Sequence, residues 1–432
     1  MRAEAAVEAA IVDLTHDGRG VADVDGRRLF VPLALPAERV LLAPRKRRRR
    51  YQEADLIRVV QPAPARSTPP CEYFGRCGGC ALQHMAYDAQ VAFKQSVVAQ
   101  ALERIGGVRP ERWLPTGTGP ELGYRRRARL GVKYVAAKER VLVGFRERAA
   151  PFVTDMARCL VLVPPMGDLI GELAELIGGS SVRDRVPQIE VAVGDDARAL
   201  VFRALAEPSA ADLERWRAFA RRHDVDVYLQ RGGPGTVAPL DPPARPLRYR
   251  LPRFDLTLEF APTDFVQINA HVNAEMVATA VDLARVAPAE RVLDLFCGLG
   301  NFSLPLAQRA ATLLGVEGEA GLVARAAANA ARNGIGNARF LTADLNETHL
   351  PFYRERWDVV LLDPPRTGAE AAVAALGDAG ARAVVYVSCH PATLARDAQT
   401  LVHRHGYRLT AVRAFDMFPQ THHVEAVALF ER

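Results

Sequence analysis

Apolar and polar positions change rhythm three times along this chain of 432 residues. Over residues 5 to about 60 they alternate in short runs, VEAAIVDL, VADVDGR, RLFVPLAL and ERVLLAP, followed by ADLIRVV. HDGRG and the Asp25-Gly26 pair separate these runs. Period-two runs bounded by Gly and Asp predict strands joined by tight turns, and their spacing predicts a small barrel. QPAPARSTPP (61–70) is a proline-rich stretch that marks a first boundary. MAYDAQVAFKQSVVAQALERIGGV then has helical periodicity that ends in Gly106-Gly107. From Tyr124 to about Arg253 the rhythm is mixed. Strand-like RRRARLGVKYV, VLVGFRE, IEVAVG and ALVFRAL sit among helical DLIGELAELI and a helix near Leu213–Arg222. PGTVAPLDPPARP (234–246) marks a second boundary.

The last 170 residues alternate regularly. Strand-formers in RVLDLF, TLLGVEG, ARFLTAD, WDVVLLDPP and AVVYVSC are interleaved with helical NFSLPLAQRA, GLVARAAANAARNG and PATLARDAQTLVHRHG. This rhythm predicts a doubly wound, largely parallel α/β sheet. The closing runs, YRLTAVRAFD and HHVEAVALFER, predict an antiparallel addition at one edge. The expected division is a barrel over 1–62, a central α+β part over 63–255 and a catalytic part over 256–432. The helix near 88–107 is expected to pack on the last of these.

Charge sharpens this division. Residues 1–160 carry 28 basic against 17 acidic side chains, and the remainder carry 28 against 33. A basic front half implies a grip on a polyanion. The run Arg45-Lys46-Arg47-Arg48-Arg49-Arg50, beside the barrel, is a nucleic-acid face or a solvated loop. Only four of the 56 basic residues are lysine, a bias that a GC-rich genome also produces. No apolar run reaches bilayer length, and the first residues hold acids where a secretory signal needs an apolar core. A cytoplasmic protein with no membrane association and no obligate protein partner is the expectation.

The candidate chemistry sits at strand ends. Asp294, Glu317, Asp344, Asp363 and Cys389 each lie at or just beyond the carboxyl end of a predicted strand, where open α/β sheets bind ligands. Gly298 and Gly300 allow close backbone approach, but the turn lacks the third glycine of a dinucleotide site. Asp294 would repel a pyrophosphate and suits the cationic amino-acid end of S-adenosylmethionine. Glu317 is placed to accept ribose hydroxyls and Asp344 to meet adenine. Asp363, in Asp-Pro-Pro-Arg, is placed to accept a uracil N3–H, and Arg366 to hold a phosphate or developing negative charge. Cys297 reads as an inert packed thiol. Cys389 precedes a helix start near Pro391, which predicts a lowered thiol pKa. Glu425, among strand-formers, reads as a general base, ahead of His422 and His423. Cys71, Cys77 and Cys80, with Cys159 as the best fourth ligand, fit a four-thiolate site. Zinc and a [4Fe–4S] cluster both satisfy the ligand count, and the unequal spacing with adjacent glycines leans towards the cluster.

The combination of C-x5-CGGC, GYRRRARL, DFVQIN, DLFCGLGNFSLPLA, DPPR, YVSC and DMFP-x2-H-x2-E resembles the RlmD (RumA) group of uracil-C5 RNA methyltransferases, over nearly the whole chain. The resemblance implies a class I methyltransferase domain of Rossmann-like fold and an amino-terminal TRAM barrel, which is OB-like. It also implies a [4Fe–4S] cluster on Cys71, Cys77, Cys80 and Cys159, with a uridine of 23S rRNA as substrate. It places Gln267, Phe296, Asn301, Glu317, Asp344 and Asp363 at the S-adenosylmethionine, Cys389 as nucleophile and Glu425 as base. Arg47, Arg48, Arg125, Arg126, Arg127 and Arg366 are the expected RNA contacts. Two departures stand out: His390 where relatives usually have Asn, and Ala426-Val427 where they often have Ser-Met. Alternatives are another rRNA site, a tRNA enzyme, a non-catalytic assembly factor and a cluster-based redox sensor. The barrel and the cysteine cluster count against the tRNA enzyme, which is expected to resemble the catalytic part alone.

Overall fold

Strands β1 (Val7–Leu14), β2 (Gly20–Val24), β3 (Arg27–Val31), β4 (Arg39–Pro44) and β5 (Gln52–Gln61) close into a barrel in the order β1-β2-β3-β5-β4. Period-two burial makes this possible. Ala9 and Ile11 of β1 point inward with Ala22, Leu29, Val31, Val40 and Leu42. Asp25 and Gly26 both take positive φ, the conformation a two-residue hairpin needs to match strand twist. The proline-rich stretch is docked on the barrel. Glu38 is fully buried, accepts the Leu35 amide at 2.8 Å and pairs with Arg66, and Ala63 packs with Leu35, Leu82 and Met85. The computed structural model describes residues 6–45, 51–378 and 380–432. Arg47 and Arg48 lie outside the described residues.

The chain forms two units. One gathers the residues through Lys94 with Phe145–Thr154 and Phe418–His423; the other gathers Gln95–Gly144, Asp155–Met417 and Val424–Arg432. The division falls within helix α1 (Tyr87–Arg104), whose later residues Val98 and Leu102 join the core of the second unit. After α1 comes β6 (Arg112–Trp113).

A six-stranded sheet of the second unit uses β7 (Arg127–Val135), β8 (Arg140–Gly144), helix α2 (Ile170–Gly178), β9 (Gln188–Val193), β10 (Arg198–Arg203), helix α3 (Ala210–His223), β11 (Asp226–Gln230) and β12 (Val237–Pro239). The order is β12-β11-β10-β9-β7-β8, and only β10 and β11, joined through α3, run parallel. A capping box between Ser209 and Asp212 starts α3, which buries Trp216 and Phe219. Strands β13 (Leu247–Leu251) and β14 (Leu256–Phe260) form a two-stranded ribbon.

The larger sheet follows helix α4 (Ala270–Ala284). Its elements are β15 (Arg291–Leu295), α5 (Ser303–Ala307), β16 (Thr312–Glu317), α6 (Ala320–Arg332), β17 (Ala338–Thr342), β18 (Val359–Leu362), α7 (Glu370–Ala375), β19 (Ala383–Ser388), α8 (Pro391–Gln399), β20 (Arg408–Phe415) and β21 (Glu425–Glu431). Strand order is β17-β16-β15-β18-β19-β21-β20-β6. The first five strands are mutually parallel, and every residue of β18 and β19 is buried, as a sheet covered on both faces requires. β21 enters between β19 and β20 and runs antiparallel to both. The edge itself is β6, a two-residue strand parallel to β20 that is too short to carry a period in sequence.

Candidate active site

The strand ends of the larger sheet converge on one crevice. β15 ends in a turn where Phe296, Gly298 and Gly300 all have positive φ. This turn brings the Gly298 amide onto Glu317 Oε2 at 3.1 Å, while Gly318 and Glu319 donate to Oε1 at 2.7 and 3.1 Å. Three amides thus fix the Glu317 carboxylate at the tip of β16 and leave little of its acceptor capacity open. Behind it, Asp294 is fully buried and accepts the Ser303 hydroxyl on one oxygen; its other oxygen has no protein partner. Burial, with the nearby Glu317 charge, raises Asp294 to about 7. A buried carboxylate oxygen aimed at no protein donor fits a cationic ligand group.

Asn301 sits in a closed amide network. Its Oδ1 accepts Tyr249 Oη at 2.9 Å and Asn273 Nδ2 at 3.1 Å, and its Nδ2 donates to Asn273 Oδ1 at 2.9 Å. Tyr249 and Asn273 line a cleft that also has Gln267 in its wall. Nothing in the sequence pattern marks Tyr249 or Asn273, although an amide at a turn needs partners. Phe296 is half-buried against the core. Asp344 is exposed beyond β17, and its Oδ1 accepts both the amide and the side chain of Asn346, at 3.0 and 2.8 Å.

Cys389, Glu425, Asp363 and Arg366 form an interacting group. Cys389 follows β19, Glu425 opens the neighbouring strand β21, and Asp363 and Arg366 follow β18 on the other side. Glu425 is 3% exposed. Burial, then Asp363, raise it to about 8, against the pull of Arg366. Asp363 is raised to about 8 by desolvation and by Asp294 and Glu317. The thiol departs from expectation. Burial, Glu425 and Asp363 push Cys389 up to about 12, outweighing Arg366 and a backbone hydrogen bond. The helix start at Pro391 does not lower it, because burial, with Glu425 and Asp363 nearby, outweighs it. Cys297 is buried and raised well above the ordinary thiol value, as its inert reading expects.

The arginines are differently placed. Arg126 pairs with Asp195, and Arg127 lies against Glu190 at 3.3 Å, so a phosphate at either must compete with a carboxylate. Arg125 Nε donates to the Arg127 carbonyl at 2.9 Å. In the other unit, Cys71, Cys77 and Cys80 lie in one tightly turned loop, and Cys77 Sγ accepts the Gly79 amide at 3.4 Å. Cys159, in the second unit, is buried after β8. Among the described residues no three His, Cys, Asp or Glu side chains gather as a single metal ion would need. The His422 and His423 rings meet with centroids 4.3 Å apart and planes tilted by 46°.

A model of the tRNA (uracil-5-)-methyltransferase family matches residues 253–432. A protein of Alkalilimnicola ehrlichii, named 23S rRNA (uracil(1939)-C(5))-methyltransferase RlmD, is 54% identical over 98% of this chain and 96% of its own. The chain belongs to the RlmD family. RlmD relatives from Nitrosococcus oceani and Thiobacillus denitrificans are each 49% identical, covering 98% of this chain and 96% and 99% of theirs. Among solved structures, the Pyrococcus abyssi tRNA (uracil-54, C5)-methyltransferase in complex with S-adenosyl-L-homocysteine overlays with a TM-score of 0.77 at 25% identity. It covers 98% of this chain and 99% of its own. That coverage corrects one expectation: likeness to a tRNA enzyme is not confined to the catalytic part. Architecture alone does not separate the RlmD family from tRNA enzymes.

Proposed function

We propose that this protein transfers a methyl group from S-adenosylmethionine to C5 of a uridine in 23S rRNA, in the cytoplasm. The observation that carries the mechanism is the meeting of Cys389, Glu425, Asp363 and Arg366 at adjacent strand ends. C5 of uracil is too weak a nucleophile to take a methyl group unaided. Cys389 sulfur adds to C6, and the electron pair displaced onto the C4 carbonyl makes C5 a carbon nucleophile. Arg366 offsets the negative charge that develops, and Asp363 orients the ring through N3–H. S-adenosylmethionine supplies an electrophilic methyl on a cationic sulfur, and that charge adds to Arg366 in favouring thiolate and carboxylate. Once C5 carries the methyl, Glu425 takes the C5 proton, the electron pair of that bond restores the 5,6 double bond, and Cys389 leaves C6 as the thiolate. The base must leave its stack to enter this crevice.

For the methyl donor, Asp294 and Gln267 suit the amino-acid end, the remaining acceptor site of Glu317 suits a ribose hydroxyl, and Asp344 suits adenine. Phe296 and Asn301 shape the turn beneath. Residues 1–62, read as a TRAM barrel, would grip RNA with the arginine run, and residues 63–255 carry the cysteine loop. We also propose Cys71, Cys77, Cys80 and Cys159 as ligands of a [4Fe–4S] cluster. Three cysteines on one short loop and an amide donating to Cys77 sulfur suit such a group, which would have a structural or redox role outside the methyl transfer. Iron and acid-labile sulfide in anaerobically purified protein test it; absence of both removes the cluster.

Uracil 1939, the position in the relatives' name, is the first to examine. The overlay on a tRNA enzyme keeps tRNA uridines as the second reading. Mass mapping of C5-methyluridine in rRNA and tRNA, from cells with and without the protein, separates them. Loss of one 23S rRNA methyl supports the proposal, loss of a tRNA methyl supports the second reading, and an unchanged map sinks both.

A further inference from the structure

Asp397 is 1% exposed on α8, in PATLARD, a motif the methyl-transfer chemistry leaves unused. A carboxylate is expensive to bury unless its oxygens are satisfied. Its Oδ2 accepts the Tyr386 hydroxyl at 2.6 Å and the Ala369 amide at 2.7 Å, and its Oδ1 accepts Arg396 Nε at 2.8 Å. Tyr386 lies on β19, three residues before Cys389, and Ala369 directly follows the turn that bears Arg366. The same helix holds that turn twice more. Thr393 Oγ1 donates to the Arg366 carbonyl at 3.3 Å, and Arg396 Nη2 donates to the Thr367 carbonyl at 3.1 Å. The turn closes through Gly368, whose amide donates to the Pro365 carbonyl at 2.8 Å. Gly368 has φ +81°, and a Cβ there would stand 2.8 Å from Asp397 Oδ2 and 2.9 Å from Thr393 Cβ. Only a glycine lets the turn approach the helix this closely.

The exposed Arg366 owes its position to this turn. It is the cation that opposes the carboxyl groups acting on Cys389 and Glu425. We propose that Asp397 is a positioning residue, locking the turn that bears Arg366 to the strand that bears Cys389 and so fixing the cation beside thiol and base. The inference rests on the reading of Cys389 and Glu425 as the reacting pair. The charged or titratable groups around the thiol are Glu425 from β21, Asp363 and Arg366 from the loop after β18, and the adjoining His390.

Cys389 reactivity measures this arrangement without RNA. Iodoacetamide labelling of the full-length protein, quantified by mass on the Cys389 peptide at pH 8, is compared among wild type, Arg366→Ala, Asp397→Asn and the double variant. Arg366→Ala and Asp397→Asn should each slow Cys389 labelling at least threefold, and the double variant should be no slower than Arg366→Ala. Unchanged labelling in Asp397→Asn, or losses that multiply in the double variant, overturn the proposal. Tyr386→Phe removes one hydroxyl from the network and carries the same comparison if Asp397→Asn does not fold. The underlying reading is tested apart from these variants. Wild-type protein with S-adenosylmethionine and RNA containing 5-fluorouracil should form a stable adduct on Cys389, because fluorine at C5 cannot leave as a proton does. Adduct at another residue, or none, removes the reading whatever the labelling shows.

Discussion

Near neutral pH, Glu425 and Asp363 keep much of their protons and Cys389 remains a thiol. The proposed reaction needs the reverse at Cys389 and Glu425, a change that Arg366 together with a cationic methyl donor would drive. Glu425 carries a measurable signature. Its folded-state value of about 8 stands above the ordinary 4.5, so between those values the folded chain keeps a proton that the unfolded chain has lost. Its contribution to stability therefore falls as pH rises through that window. Glu425→Gln has no charge to bury, and it should match wild type near pH 4 and exceed it by up to about 5 kcal/mol at pH 9. Thermal melting at the two pH values checks this. With 23S rRNA fragment and methyl donor, the same variant should accumulate a methylated RNA–protein adduct, visible on denaturing gels. The place of Cys389 at a strand tip and of Glu425 among strand-formers was legible in the sequence. The direction of the thiol pKa was not, since burial in the fold raises it most, and the sheet order brings Glu425 and Asp363 near.

Elements set the reach of these residues. The amide network around Asn301 joins three of them: the β13–β14 ribbon through Tyr249, helix α4 through Asn273 and the turn after β15. Tyr249→Phe removes one of the two donors to Asn301 Oδ1, and Asn273→Ala removes a reciprocal pair. Affinity for S-adenosylhomocysteine, measured by calorimetry, should fall about threefold for the first and about tenfold for the second, in line with ~0.5–1.5 kcal/mol per net hydrogen bond. The βα alternation was legible because parallel strands buried on both faces read as continuous apolar runs. β6 was not, since two residues carry no period and pair with β20 only after the chain has returned from far away. The docking of residues 61–70 was equally hidden, because prolines signal a break in regular structure and say nothing of what lies beneath. A buried Glu38 with its Arg66 partner supplies that contact.

For the whole molecule the charge division of the sequence predicts salt-sensitive RNA binding. Neutralising Arg47 and Arg48 together should lower the slope of log affinity against log salt by about 1–2 and weaken all RNAs alike, since phosphate contacts carry no sequence information. Filter binding over a salt series checks this, and an unchanged slope assigns that run to solvent. The placement of β21 has a consequence of another kind. The barrel pairs segments within its first 61 residues, so its closure involves short loops. The larger sheet is incomplete until β21 slides between β19 and β20, and until β20 finds β6 some three hundred residues upstream. As the chain emerges from a ribosome, the barrel therefore has the means to form long before Glu425 has been synthesised. If the barrel grips RNA as proposed, a nascent copy would hold RNA while it still lacks the chemistry to modify it.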